Sequence, residues 1–458
     1  MKLLSVLFKT GSVRHIFLIS FLMFGIADSY DPLDPNGNIT IKWDIMSWTS
    51  DGYIAIVTIF NFQKYRHIEA PGWELGWTWS KNEIIWSMLG GQTTEQGNCL
   101  KFKGNVPHCC KKDPIVVDLL PETTTYNLRT TNCCRGGVLS TMIQDHSNSV
   151  SSIQITVGQA GTTNKTVKAP KNFNLKGSSA SGPGLGYTCG STKLVKPSKF
   201  FTPDKRRFTQ ALMSWNVTCT YSQFLAQKSP SCCVSLSSFY SDTIVNCPTC
   251  TCGCQNKITQ AAGTCVRSYS AHIASSSAVI SPGGGGGRGG TYTPMMVQCT
   301  RHMCPIRVHW HVKQSYKEYW RVKITITNFN YRMNYTQWNI VVQHPNFNNL
   351  TQSFSFNYKS IPAYKFTNDT GMLWGIKYYN DMLMEAGPYG FVQSELLFRK
   401  DKEFTFDKGW AFPRRIYFNG DSCVMPPPDE YPFLPNDAAQ NIISLLKTAL
   451  VSLILFLI

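Results

Sequence analysis

The chain has 458 residues, with 44 Lys and Arg against 27 Asp and Glu, which gives a formal net charge of +17. About 400 residues remain after the terminal processing predicted below, and that length suggests two or three domains. Acidic residues are scarce, and the sequence offers no definite pair of carboxylates of the kind a glycosidase needs. It also lacks a Gly-x-Ser-x-Gly elbow, a Walker loop and a dinucleotide fingerprint. The sequence therefore predicts no catalytic residue and no cofactor.

Residues 1–29 have the pattern of a signal peptide. Three basic residues precede an apolar run at 16–26. That run is shorter than the roughly 20 residues of a membrane-spanning helix, so export is favoured over an N-terminal membrane anchor. Small residues at Ala27 and Ser29 predict cleavage before Tyr30.

The strand pattern is strong and predicts a mainly β protein. Alternating apolar residues begin at Ile39, and the same pattern returns at Ile306. Residues 39–62 align without a gap on 306–329, with six of 24 positions identical. We therefore predict two tandem antiparallel β-sandwich modules, at 30–185 and 295–436, although chance similarity of two hairpins is the alternative.

Aromatic residues at 71–79 form the most functional-looking stretch. Alternation places three indoles on one face of a strand, where each two-residue step is about 7 Å long and the rings could stack on sugar rings. The alternative is that they fill the core, where strand tryptophans usually lie. The predicted carbohydrate-binding residues are Trp73, Trp77 and Trp79, with Trp48, Tyr53 and Trp86 close in sequence.

Between the predicted sandwiches lie a cysteine-rich segment, 186–280, and a glycine-rich linker, 281–294. The segment contains a CCVS box with Cys232 and Cys233, followed by a CxxCxCxC run at Cys247, Cys250, Cys252 and Cys254. An exported chain favours disulfides over zinc for these thiols. All 17 cysteines lie between the processed ends, and the odd number leaves at least one without an intramolecular partner.

His309 and His311 lie two residues apart on a predicted strand, so both imidazoles could face one metal. Arg307 and Lys313 share that face, however, and cations beside a metal are unfavourable. A solvated basic face is the preferred interpretation, and no metal site is predicted.

The C-terminal end has the pattern of a GPI-anchor signal. Small and polar residues are followed by a spacer and an apolar tail at 448–458. We predict attachment at Asn436 and removal of residues 437–458, with a membrane-spanning tail as the alternative. Export also agrees with six N-glycosylation sequons, at Asn38, Asn164, Asn216, Asn334, Asn349 and Asn368.

The predicted mature chain keeps a net charge of +15. Outside the cell, the counter-ions for such a charge are acidic polysaccharides and lipid head groups, with attraction that depends on salt. The alternative is a solvated basic surface without a dedicated partner. No nucleic-acid partner is predicted.

The chain resembles the COBRA and COBRA-like proteins of plants, short type, over nearly its whole length. The motifs that carry the resemblance are YDP at 30–32, KWD at 42–44, FNFQKYR at 60–66, QTTEQG at 92–97, CCVS at 232–235, QCTRHMCP at 298–305 and GWAFPRR at 409–415.

The resemblance implies a GPI-anchored protein on the outer face of the plasma membrane and in the cell wall. It also implies an N-terminal cellulose-binding-like module and a non-catalytic role in cellulose deposition, microfibril assembly and oriented cell expansion or wall thickening. The partner would be cellulose or another β-glucan. Two alternatives are a surface scaffold or adhesion protein that recruits the cellulose-synthesising machinery and, less favoured, a glucan-modifying enzyme.

Overall fold

A computed structural model describes residues 31–432 except 32, 123, 178–185, 203, 227–229, 240–304, 331–333, 362–368, 388 and 402–409. The predicted signal peptide, glycine-rich linker and anchor signal, together with the CxxCxCxC run, lie outside these residues. No helix in the described part is long and apolar enough to cross a membrane.

The first sandwich contains thirteen described strands and small helical turns. The strands are β1 Ile39–Trp48, β2 Tyr53–Asn61, β3 Glu74–Thr78, β4 Ile84–Leu89, β5 Gly91–Thr93, β6 Ile115–Asp118, β7 Val150–Gly158, β8 Lys171–Lys176, β9 Tyr187–Cys189, β10 Lys193–Val195, β11 Lys199–Phe201, β12 Phe208–Gln210 and β13 Met213–Tyr221. Its helical elements are 3₁₀ turns at Tyr126–Leu128 and Ser147–Ser149 and helix α1 at Gln223–Ala226.

Two sheets of the first sandwich face each other. The larger has the order β10-β13-β1-β2-β7-β4 with β9 beside β13, and the smaller has the order β5-β6-β3-β8. Inward residues of both sheets, including Trp43 of β1 and Trp77 of β3, form one buried core. Strands β11 and β12 pair only with each other among the described strands.

The second sandwich contains ten described strands. They are β14 Cys232–Ser238, β15 Ile306–Ser315, β16 Tyr319–Asn328, β17 Asn339–Gln343, β18 Leu350–Ser353, β19 Phe356–Ser360, β20 Thr370–Gly375, β21 Phe391–Arg399, β22 Arg415–Phe418 and β23 Asp421–Ser422. The 3₁₀ turns lie at Pro345–Asn349, Lys377–Asn380, Met382–Met384 and Pro428–Glu430. Its sheets have the orders β14-β15-β16-β21-β18 and β19-β20-β17-β22-β23, around a second core.

The internal repeat is confirmed in atomic detail. In the first sandwich Ile39 pairs with Asn61, and the register shifts between Ile45 and Ser47. In the second sandwich Ile306 pairs with Asn328, and the shift lies between Val312 and Gln314. Every one of these positions is 267 residues from its counterpart. The two sandwiches therefore contain the same hairpin with the same bulge.

Described residues of the predicted cysteine-rich segment, 186–280, lie in the sheets of both sandwiches. Strands β9, β10 and β13 join the larger sheet of the first, where β13 pairs antiparallel with β1. The CCVS box begins β14, which pairs in parallel with β15 of the second. The physical reason is that β1 and β15 each need a second neighbour to satisfy their backbone hydrogen bonds. Among the described residues β14–β15 is the one parallel pair of strands, and an isolated parallel bridge also joins Cys233 to Val424.

The two sandwiches contact each other through a polar and apolar interface. The Arg66 guanidinium donates from Nη1 to Asp421 Oδ1 at 3.0 Å and from Nη2 to the Gly420 carbonyl at 2.6 Å. Its Cζ lies 3.6 Å from the ring centre of Tyr221. An apolar cluster from both sandwiches lies in the same region and comprises Leu33, Tyr65, Val341, Ile361, Met372 and Tyr417.

Two buried histidines predict that the folded protein becomes less stable as the pH is lowered. Burial lowers the pKa of His67 to about 4 and that of His344 to about 3. The unfolded chain binds protons on these groups near pH 6.5, whereas the folded chain keeps them neutral, so acid favours unfolding. We expect each histidine to remove about 2 kcal/mol of unfolding free energy between pH 7.5 and pH 5.

Urea unfolding at a series of pH values measures this effect. The variant His344→Gln should flatten the dependence between pH 6.5 and pH 4, and the variant of exposed His146 to Gln serves as the control. An unchanged slope in the His344 variant would contradict the assignment.

Candidate functional site

The tryptophans at 73–79 lie on one face, but that face is the inside of the first sandwich. Trp73, Trp77 and Trp79 are 1%, 1% and 2% exposed. The ring of Trp77 lies edge-on to Trp43 and Trp79, with centroids 5.2 and 5.4 Å apart. Indoles enclosed in this way cannot stack on a sugar ring. The prediction that these three bind carbohydrate is therefore wrong, because the second sheet covers the face that they share.

The other predicted aromatics divide between core and surface. Tyr53 is buried, and Trp48 is half-buried with its ring edge-on to Tyr53 at 6.5 Å. Both residues lie at the turn end of the β1–β2 hairpin, where β1 ends and β2 begins. Tyr53 is closed to a ligand, and the prediction that it contacts sugar is also wrong.

Trp86 is the predicted residue that lies on the outer side of the larger sheet. The register of β4 shifts between Ile85 and Ser87, and this bulge turns Trp86 away from the core. Its indole lies against the backbone of Gly158, where a side-chain carbon would collide with Nε1. Trp86 Nε1 donates to Asp51 Oδ2 at 3.2 Å, and the Phe102 ring packs edge-on at 5.4 Å. The ring is held in place while part of it remains accessible.

Phe60 and Phe62 form a second aromatic pair on the same outer side. Their rings are stacked, with centroids 5.6 Å apart and planes 13° from parallel, and Phe62 is 41% exposed. Sequence reasoning missed both residues. The signal was present, because β2 is apolar at both its inward and its outward positions, as a strand with two useful faces would be.

We use the name open face for the outward side chains Ile54, Ile56, Phe60, Phe62 and Trp86. Strand pairing aligns Ile54 with Thr156 and Ile56 with Gln154 on β7, so hydroxyl and amide groups lie beside the apolar ones. Ser87 Oγ donates to Thr156 Oγ1 at 3.0 Å. From Ile54 to Phe60 the strip extends about 20 Å, because a strand rises roughly 3.3 Å per residue.

The chemistry of the open face suits a flat polymer with apolar surfaces and hydroxyl edges. Aromatic rings stack on such surfaces, and Thr and Gln can exchange hydrogen bonds with hydroxyls. Asp44 also belongs to this side of β1 but is buried, and its Oδ1 accepts from Ser198 Oγ at 2.5 Å. In the part of the chain that the structure describes, no group of three or more His, Cys, Asp or Glu could hold a metal.

The sequons differ in accessibility. Asn164 and Asn334 are exposed, whereas Asn38, Asn216 and Asn349 are half-buried. Asn349 Nδ2 donates to Asp401 Oδ2 at 2.8 Å, and Asn216 lies opposite Lys42 on the outer side of β13. A glycan on Asn216 would therefore border the open face. Asn368 and the predicted attachment residue Asn436 lie outside the described residues.

Four disulfides join described cysteines: Cys99–Cys110, Cys133–Cys134, Cys189–Cys219 and Cys232–Cys423. Cys189–Cys219 links β9 to β13 in the first sandwich, and Cys232–Cys423 fastens the CCVS box to the C-terminal end of the second. Cys109 is a buried free thiol. Burial raises the pKa of the Cys109 thiol, so this thiol is a poor nucleophile.

His309 and His311 hold β14 against β15. Ser235 Oγ lies 2.6 Å from His309 Nδ1, and Ser237 Oγ lies 2.9 Å from His309 Nε2 and 2.8 Å from His311 Nδ1. Burial, followed by the charge of Arg307, lowers the pKa of His309 to about 4. The serine of the CCVS box thus has a structural role, since it binds a neutral imidazole on the neighbouring strand.

Comparisons with known proteins cover almost the whole chain. Residues 53–222 match the model of the COBRA N-terminal domain, and residues 231–432 match that of the COBRA family C-terminal domain. The chain is 65% identical over 442 residues to Protein COBRA of Arabidopsis thaliana, covering 96% of this chain and 94% of that protein. It is 69% identical over 411 residues to COBRA-like protein 3 of Oryza sativa subsp. japonica, covering 89% and 87% respectively.

Proposed function

The chain belongs to the COBRA family, and from this premise we propose that it is a non-catalytic, cell-surface protein that binds cellulose or a related β-glucan through the open face. Its role would be to hold glucan chains during cellulose deposition and microfibril assembly. The observation that carries the proposal is the row of outward apolar and aromatic side chains on a sheet whose other face is a complete core.

Location outside the cell is supported by the thiol chemistry. Eight of the described cysteines form four disulfides, and such bonds persist in oxidising compartments. Exposed sequons at Asn164 and Asn334 would accept glycans without disturbing the fold. We propose attachment to the outer leaflet through a GPI anchor at Asn436, which would hold the binder at the membrane and in the adjoining wall.

Recognition of a neutral glucan is supported by the composition of the open face. Ile54, Ile56 and the Phe60–Phe62 pair provide an apolar strip along β2, and Trp86 adds an indole at one end. Stacking on aromatic rings is worth about 1–3 kcal/mol per ring in the related case of nucleic-acid bases. A binder of this kind acts by position, because it changes no covalent bond.

Sedimentation of the secreted protein with microcrystalline cellulose tests the proposal. We expect the double variant Phe60→Ala/Phe62→Ala to bind at least tenfold more weakly, since it removes the largest apolar contact of the open face. Tyr389→Ala is the matched control, because Tyr389 is 77% exposed in the second sandwich and belongs to no part of the open face. Equal binding by both variants and the wild type would refute the assignment of this face.

A further inference from the structure

The β11–β12 hairpin projects from the first sandwich with both strands accessible. Lys199 pairs with Gln210 and Phe201 with Phe208, and the two strands join no larger sheet among the described residues. Strands this short gain little stability from pairing alone, so their exposed side chains call for another explanation.

Two phenylalanines lie side by side on one surface of the hairpin. Phe201 and Phe208 are 60% and 51% exposed, with ring centroids 5.8 Å apart. Lys199 Nζ lies 4.7 Å from the ring centre of Phe208, so a cation and two aromatic rings share this surface. Exposed apolar side chains that lie in contact with each other often mark the binding site of a ligand.

Charge around these rings is strongly positive. Residues 193–210, which include the hairpin and the strand before it, contain six exposed basic residues: Lys193, Lys196, Lys199, Lys205, Arg206 and Arg207. Their one acidic residue, Asp204, contacts Thr202 Oγ1 and accepts a hydrogen bond from Arg206 N at 3.3 Å, so the carboxylate faces its own loop. The basic side chains are therefore available for an anionic partner.

We propose that the β11–β12 hairpin is a second binding site, specific for an acidic polysaccharide built from sugar units that carry carboxylates. Phe201 and Phe208 stack on the apolar faces of the sugar rings, while Lys205, Arg206 and Arg207 pair with carboxylates. Guanidinium groups form bidentate hydrogen bonds with carboxylates, which suits a polymer whose carboxylates are regularly spaced.

The placement of charge favours a polysaccharide over a lipid membrane. Asp204, Lys205, Arg206 and Arg207 form the exposed connection between the strands, and the two rings lie behind it. Insertion of the rings into acyl chains would carry these charges towards hydrocarbon, which is unfavourable for charged groups. A polymer lying along the side of the hairpin meets rings and cations together.

The hairpin borders the open face but does not depend on it. Ser198, beside β11, hydrogen-bonds to Asp44 on the outer side of β1, and Leu212 N donates to the Ile45 carbonyl at 2.7 Å. The two sites could thus hold a neutral and an acidic polymer side by side. The hairpin site would remain even if the open face bound no glucan.

Affinity electrophoresis of the secreted full chain in gels containing polygalacturonate tests the proposal, with fully methyl-esterified polygalacturonate as the uncharged comparison. We expect retardation by the charged polymer only, weakened by 0.5 M salt. The triple variant Lys205→Gln/Arg206→Gln/Arg207→Gln should bind about tenfold more weakly, as three exposed ion pairs would predict. Phe201→Ala/Phe208→Ala should also lose about tenfold through stacking.

The matched control is Lys165→Gln/Lys168→Gln/Lys359→Gln, which removes the same charge from exposed lysines elsewhere. An equal loss in this control would show that net charge alone causes retention. Equal retention by polyphosphate, or stronger binding to anionic lipid vesicles than to polygalacturonate, would also overturn the assignment. Circular dichroism of each variant verifies the fold, and cellulose sedimentation should be unchanged by all of them.

Discussion

Replacing Cys232 and Cys423 by Ser lowers the free energy of unfolding by about 5 kcal/mol. This disulfide closes a loop with a sequence separation of 191, and loop entropy in the unfolded chain increases with its length. It also fastens β14 to the C-terminal end of the second sandwich, where Val234 N donates to the Val424 carbonyl at 2.8 Å. Urea unfolding of the double variant measures the loss.

The matched control is Cys99→Ser/Cys110→Ser, which opens a loop with a separation of only 11. The same loop-entropy relation gives about 3 kcal/mol for that bridge. Equal losses for the two pairs would show that loop length does not set the contribution of Cys232–Cys423. Hydrogen exchange should show the additional loss in β14 and β15, and not in β1 and β2.

Trp77→Ala lowers the free energy of unfolding by about 4 kcal/mol, because a large buried side chain leaves a cavity between the two sheets. Trp77 contacts Trp43, Trp79 and Phe173, with ring centroids 5.2 to 6.3 Å apart. Trp86→Ala should cost about 1 kcal/mol or less, since its indole is only half-buried. Urea unfolding compares the two variants.

Cellulose binding separates the roles of these two tryptophans. The folded fraction of Trp77→Ala should bind as the wild type does, whereas Trp86→Ala should bind more weakly despite its stability. A Trp77→Ala protein that folds normally and has lost binding would restore the stacking role that the sequence pattern suggested.

The sequence was sufficient to predict the architecture because its main signal is local. Alternation set the inward phase of β1, β2, β15 and β16, and the 267-residue repeat carried even the bulge from one hairpin to the other. Each of these features is set by residues within one hairpin, so the sequence allows few alternative structures for it.

The candidate site could not be predicted in the same way. Alternation shows that Trp73, Trp77 and Trp79 share a face, but the strand that carries them does not encode which of its faces a second sheet covers. That choice depends on packing with β1, which is distant in sequence. Phe60 on β2 and Phe62 just after it were overlooked because a strand that is apolar on both faces resembles a fully buried one.

The parallel pairing of β14 with β15 is also non-local. Parallel neighbours require a long connection, and residues 239–305 separate the two strands in the chain. The dense cysteine pattern predicted a disulfide-rich segment. Because the CCVS box was assigned to that segment, it was not recognised as the start of a strand. The serine–histidine contacts explain why hydroxyl residues follow those cysteines.

Hydroxyl-radical footprinting of the protein on microcrystalline cellulose tests most directly which face contacts the glucan. Phe62 and Trp86 should be protected from oxidation in the bound protein, whereas Tyr389 should be oxidised equally in the bound and free forms. Protection of Tyr389, with Phe62 and Trp86 unprotected, would contradict the assignment of the open face.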